Sequence, residues 1–140
     1  MTSSRAASAA KRGQAEQPGW LSSCFRVTTP PVRHGSLDDG VPAELPEELT
    51  TVLVAGGGVR IERIVSRGHA SAPESWYEQA EDEFVLLVQG AARLEFEEFD
   101  LELTPGDWVD LPAGVRHRVA WTAEAQDTVW LAVFRPASGA

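Results

Sequence analysis

Cysteine is almost missing from this chain of 140 residues, and Cys24 stands alone. One thiol excludes an internal disulfide framework and a thiolate metal cluster. It lies outside the patterned part of the sequence and reads as a bland thiol, because a reactive one needs a neighbouring histidine that spacing does not supply. Long apolar runs are also missing. None approaches the about 18 residues of a membrane span, and the N-terminus lacks the apolar segment of a secretory signal, so a soluble cytoplasmic protein without membrane contact is expected. Basic residues are scarce, with 12 Lys and Arg against 21 Asp and Glu.

The few cations are unevenly placed. Residues 1–37 hold Arg5, Lys11, Arg12, Arg26 and Arg33 against Glu16, a net +4, which leaves −13 on the remainder. Such an acidic body repels phosphate backbones, so nucleic acid is not an expected partner. The Ala-, Ser- and Arg-rich arm reads as a disordered tail in preference to a transit peptide, with a downstream translation start left open. The length suits one domain with one core. The expected boundaries are a flexible basic tail over 1–40, a β-barrel domain over 41–136 and a C-terminal tail over 137–140.

What is present is β texture. A short N-terminal helix is predicted first, with Pro46 in its opening turn, Glu47 and Glu48 complementing the dipole, and Leu49, Val52 and Leu53 on one face. It is expected to stop at Gly56-Gly57-Gly58. From Val59 onward, short runs rich in Val, Leu, Phe and Trp are punctuated by turn signals, the pattern of an all-β sandwich or barrel. Strands are predicted near 59–66, 74–79, 83–89, 91–97, 99–104, 107–111, 116–122 and 128–134. Ala92, Leu94 and Phe96 alternate with Arg93 and Glu95, while Leu101 and Leu103 alternate with Asp100 and Glu102, so two strands form a hairpin with one wet face. Phe84 to Val88 is apolar throughout and is expected to be buried on both sides. Val115, His117, Val119 and Trp121 share a parity, which turns His117 inward and Arg116 and Arg118 outward. The five tryptophans read as core and interface packing, and Asp107 reads as a turn cap.

Two ionisable side chains stand out at strand ends. His117 follows the turn Pro112-Ala113-Gly114, and Glu83 opens the apolar run that ends at Gly90. The order Gly106, five residues, Pro112, one residue, Gly114, two residues, His117 resembles the second motif of the cupins, and Glu83, six residues, Gly90 is similar to the end of their first motif. The resemblance covers residues 59–134 and implies a jelly-roll β-barrel of two packed antiparallel sheets. Val59 to Ser66 and Ser75 to Gln79 look like a subgroup of small bacterial cupins of largely unassigned activity. By the same resemblance a homodimer is expected.

The first motif departs from the pattern, because no histidine precedes Glu83 at the usual spacing. With a three-residue gap the two positions fall on Tyr77 and Gln79; with a four-residue gap they fall on Trp76 and Glu78. The first register is preferred, since both side chains are polar and of one parity. The resemblance then implies Glu83, His117, Gln79 and Tyr77 as ligands of a divalent ion (Fe, Mn, Ni or Zn), with Tyr77, Glu83 and His117 as catalytic groups. His69 is a spare ligand that reads more simply as a solvated turn residue. His117 has a second reading of equal weight, an imidazole hydrogen-bonded to Glu83 or Tyr77 without metal. Three function classes follow: a metal-dependent lyase, isomerase or oxygenase on a small polar substrate, a metal-free ligand-binding or sensor protein, and a dimeric structural barrel.

Overall fold

The computed structural model describes residues 29–139. The basic arm as far as residue 28, with Cys24, lies outside the described residues. Residues 35–140 form one compact unit, and its described part carries eight strands: β1 (Leu49–Gly56), β2 (Val59–Ser66), β3 (Glu81–Gln89), β4 (Ala92–Phe96), β5 (Asp100–Leu103), β6 (Trp108–Leu111), β7 (His117–Thr122) and β8 (Thr128–Pro136). They build two antiparallel sheets, ordered β1-β2-β8-β3-β6 and β5-β4-β7. Cross-strand partners set the inner face of the larger sheet: Ala132 lies opposite Val85, Trp130 opposite Leu87, and Phe134 opposite Glu83. Val85, Leu87, Trp130, Ala132 and Phe134 meet Ala92, Leu94 and Leu103 of the smaller sheet in one core. Among the described residues no helix is long and apolar enough to cross a membrane.

The predicted N-terminal helix is not formed. Its sequence is β1, paired with β2 from Leu49 opposite Val65 to Gly56 opposite Val59. Gly57 and Gly58 both have positive φ, 62° and 81°, the requirement of a tight two-residue hairpin turn. The glycines therefore turn the chain back into a sheet instead of ending a helix, and the Thr- and Val-rich sequence before them favours strand.

Three further expectations change. Residues 74–79 form no strand; the segment lies along β7 through one bridge, Tyr77 opposite His117, with Ser71 N also bonded to Val119 O. Pro73 removes one donor and a tight turn joins Ser75 N to Ala72 O, so a continuous ladder cannot propagate. In β3 the pairing with β8 shifts between Leu87 and Gln89, which leaves Val88 38% exposed, while Phe84 is only half-buried, stacked on Trp108 at 5.7 Å. In β7 the register slips at Ala120. That bulge turns Trp121 outward and Thr122 inward, because one inserted residue reverses the side-chain parity beyond it.

Gly90 closes the turn between β3 and β4 at φ 89°. A Cβ there would stand 2.4 Å from Thr128 Oγ1 and 2.6 Å from Thr128 Cα, so backbone as well as side chain must move. Gly90→Ala is expected to cost about 3 kcal/mol, combining left-handed strain with the clash. Denaturant titration checks this; a midpoint unchanged from wild type contradicts it.

Candidate functional site

His117 enters the barrel because the turn before it fixes the start of β7. Gly114 has φ 84°, Val115 N bonds to Pro112 O, and Gly114 N bonds to Gln79 O. The imidazole is 5% exposed as a residue, and its Nδ1 lies 2.9 Å from Val115 O. A carbonyl oxygen only accepts, so Nδ1 carries the proton and Nε2 of the neutral ring presents its lone pair. The nearest ionisable partner of Nε2 is Glu83 Oε2 at 3.9 Å, beyond hydrogen-bond length. The Tyr77 ring tilts over the imidazole with centroids 5.7 Å apart.

Glu83 reaches the same space from β3, between Phe134 of β8 and Leu111 of β6. It is 7% exposed and accepts a 2.8 Å hydrogen bond from Gln79 Nε2. Burial holds its pKa above the ordinary carboxylate value, against the opposing effects of the Gln79 bond and of the positive charge His117 carries when its ring is protonated; Glu62 adds to the rise and Arg60 opposes it. A carboxyl group of raised pKa beside an imidazole lone pair is an acid–base pair.

The two side chains share a cavity of about 170 Å³ with Tyr77, Gln79 and Glu48 over a floor that includes Leu94 and Trp130. All four residues singled out by the motif reading therefore meet in one place. The alternative register does not: Trp76 lies under the Arg116 and Arg118 guanidinium groups, at 4.8 and 5.7 Å, and neither Trp76 nor Glu78 lines the cavity. Arg118 pairs with Glu95 at 2.6 Å and Arg116 with Glu97 at 3.4 Å. Asp107 accepts from Thr104 N and Oγ1 and caps its turn. His69 stands apart in an adjoining cleft, where its Nδ1 accepts from Arg67 N at 2.9 Å.

Sequence reasoning missed Glu48. Its carboxylate accepts from Ser66 Oγ at 2.6 Å, and Ser66 Oγ accepts from Trp130 Nε1 at 3.1 Å. That relay fixes Glu48 at the cavity wall, and nothing in the local sequence signals a contact made across 18 positions. Asp82, next to Glu83, is the other buried carboxylate of this corner. It accepts from Ala113 N, and from Ser138 N and Oγ; these bonds, Ala113 first, hold its pKa below the ordinary value. Asp82 thereby ties β3 to the turn that delivers His117.

The donor set offers few of the side chains that ordinarily hold a metal. Among the described residues no group of three or more His, Cys, Asp or Glu is placed to hold an ion, whereas a catalytic zinc commonly takes three protein ligands. Here one imidazole and one carboxylate converge, with the Gln79 amide N–H bonded to that carboxylate and Tyr77 48% exposed at the cavity wall.

Comparison with known proteins agrees with the fold. A family model described as a cupin domain matches residues 62–134. A crystal structure from Ralstonia eutropha JMP134, of a protein provisionally named a mannose-6-phosphate isomerase, is 44% identical, with 76% of this chain and 100% of that one covered and a TM-score of 0.73. A cupin superfamily protein from Desulfitobacterium hafniense DCB-2 is 20% identical over 80% of this chain and 99% of its own, with a TM-score of 0.60. KdgF from a Halomonas species is 20% identical over 69% and 85%, with a TM-score of 0.57. The last two show likeness of fold alone. No curated protein matches.

Proposed function

The chain belongs to the cupin domain family, and from that premise we propose that it is an isomerase-type enzyme moving a proton on a small hydroxy-carbonyl compound in the barrel cavity. The observation that carries this reading is the Nε2 lone pair of His117 facing the Glu83 carboxyl group at 3.9 Å inside one cavity. The provisional name of the Ralstonia protein supports the reaction class.

The chemistry balances without an outside reagent. His117 Nε2 takes the proton from the carbon beside the carbonyl, and the protonated Glu83 carboxyl gives its proton to the carbonyl oxygen, forming an enediol. The second hydroxyl then returns a proton to Glu83 as the imidazolium protonates the former carbonyl carbon, completing an aldose-to-ketose conversion. Burial serves this cycle by raising the Glu83 pKa, which enlarges the fraction of the carboxyl form that can donate. Val115 O keeps the imidazole in the required tautomer, and Gln79 holds the carboxyl oxygen in place. Tyr77 walls the cavity on its solvent side.

Incubating the protein with D-mannose in heavy water tests the reading. Deuterium is expected at C2 with fructose accumulating, at a rate unchanged by prior dialysis against EDTA, since neither acid–base group depends on an ion. Mannose recovered without deuterium after prolonged incubation contradicts the reading, and loss of exchange on EDTA treatment contradicts its metal independence.

A further inference from the structure

A neighbouring space adjoins the barrel cavity at Tyr77. A second, open cleft of about 310 Å³ shares Glu48, Tyr77 and Val119 with the barrel cavity and adds Glu47 and His69 to its walls. Neither space has a Lys or Arg in its lining. Arg60 pairs with Glu62 and Glu81, Arg67 with Asp127, and Arg118 with Glu95. Inner chamber and outer cleft adjoin at Glu48, Tyr77 and Val119, so that Glu48 lines both, with Tyr77, Trp130 and Phe134 among the walls of the inner part.

From this juxtaposition we infer that the substrate is a small hydroxy-carbonyl compound carrying a protonated amine at the end away from the reacting carbons, and that phosphorylated analogues are rejected. The inference rests on the acid–base reading above and names the substrate class of the same site. A reacting end seated at His117 and Glu83 leaves its far end toward Glu48 and the cleft. An ammonium group there meets the Glu48 carboxylate in a partly desolvated setting. A phosphate dianion in the same position meets like charge and no donor cation, although phosphate recognition ordinarily recruits Arg, Lys or a helix N-terminus. The 44%-identical protein's provisional name points to a sugar phosphate; the charge lining this chain's own cavity favours the opposite sign.

Isothermal titration of the full chain with three compounds of one skeleton tests the inference: D-mannose, 6-amino-6-deoxy-D-mannose and D-mannose 6-phosphate. The amine is expected to bind about tenfold tighter than mannose, with an advantage that shrinks in high salt, and the phosphate to bind more weakly than mannose. Glu48→Gln is expected to remove the amine's advantage, so that amine and mannose bind alike, since a glutamine oxygen still accepts from Ser66 and only the charge is lost. A phosphate that binds best, or an amine no better than mannose, overturns the charge selection; if exchange at C2 of mannose persists, the acid–base reading stands. No binding by any of the three overturns both.

Discussion

Glu83→Gln is expected to make the protein more stable at neutral pH while abolishing exchange on its substrate. Glu83 sits 7% exposed between Phe134 and Leu111, and burial raises its pKa in the folded state. Between the unfolded and the folded value the native protein binds the extra proton, so stability falls as pH rises through that interval. The group's favourable contribution is full below the ordinary carboxylate value and is lost once the pH passes the raised one; at neutral pH the ionised carboxylate is a burden on the fold. Glutamine has nearly the same shape, and its carbonyl oxygen still accepts from Gln79. A gain of about 1 kcal/mol is the usual size for relieving a functional residue of this kind. Thermal melts of both proteins across pH check the sign: the gap is expected to be widest near neutrality and to close in acid. A Glu83→Gln protein less stable than wild type at neutral pH contradicts the burial argument. Asp82 works in the other direction. Its lowered pKa makes its bonds to Ala113 and Ser138 a source of stability that is present above the ordinary value and lost as the pH falls through the depressed one.

The second large effect belongs to His117. Its replacement by glutamine removes the base while filling much of the same space, and the exchange rate is expected to fall by about 10²–10⁴-fold, the range for removing a positioned general base. Stability should fall as well, by about 1–3 kcal/mol, if the new side chain fails to satisfy Val115 O. Tyr77→Phe is the informative contrast. It keeps the ring that tilts over the imidazole at 5.7 Å and loses only a hydroxyl on a half-exposed residue, so its exchange rate should stay within about tenfold of wild type. Equal rates for His117→Gln and wild type contradict the assignment of His117 as the base.

The parts of this molecule that were legible in its sequence are those where one residue type answers one local demand. Gly106, Pro112 and Gly114 announce turns, and the turns place β6 and β7. Gly90 marks the end of the first motif, and the reason it is a glycine, a close approach to Thr128, shows only in the fold. The spacing from these turns carried Glu83, His117, Tyr77 and Gln79 into one cavity. What stayed hidden depends on partners distant in the chain. A glycine triplet ends a helix or turns a hairpin with equal ease, and only the presence of β2 as a partner decides for β1. The register slips at Val88 and Ala120 leave no residue signature, yet they decide which face Val88 and Trp121 show. Glu48 reads as a helix-end charge until Ser66 and Trp130 hold it at the cavity.

The measurement closest to the central claim is a long-range nitrogen–proton correlation spectrum of the histidine side chains at neutral pH. The chain has three histidines, and two of them are expected to show opposite tautomers. His117 donates from Nδ1 to Val115 O and keeps a bare Nε2 toward Glu83; His69 accepts at Nδ1 from Arg67 N and carries its proton on Nε2. The account predicts a Nδ1–H tautomer that disappears in His117→Gln and whose Nε2 resonance moves in Glu83→Gln. A Nε2–H tautomer at His117, or a resonance indifferent to the loss of the Glu83 carboxylate, contradicts the acid–base pair.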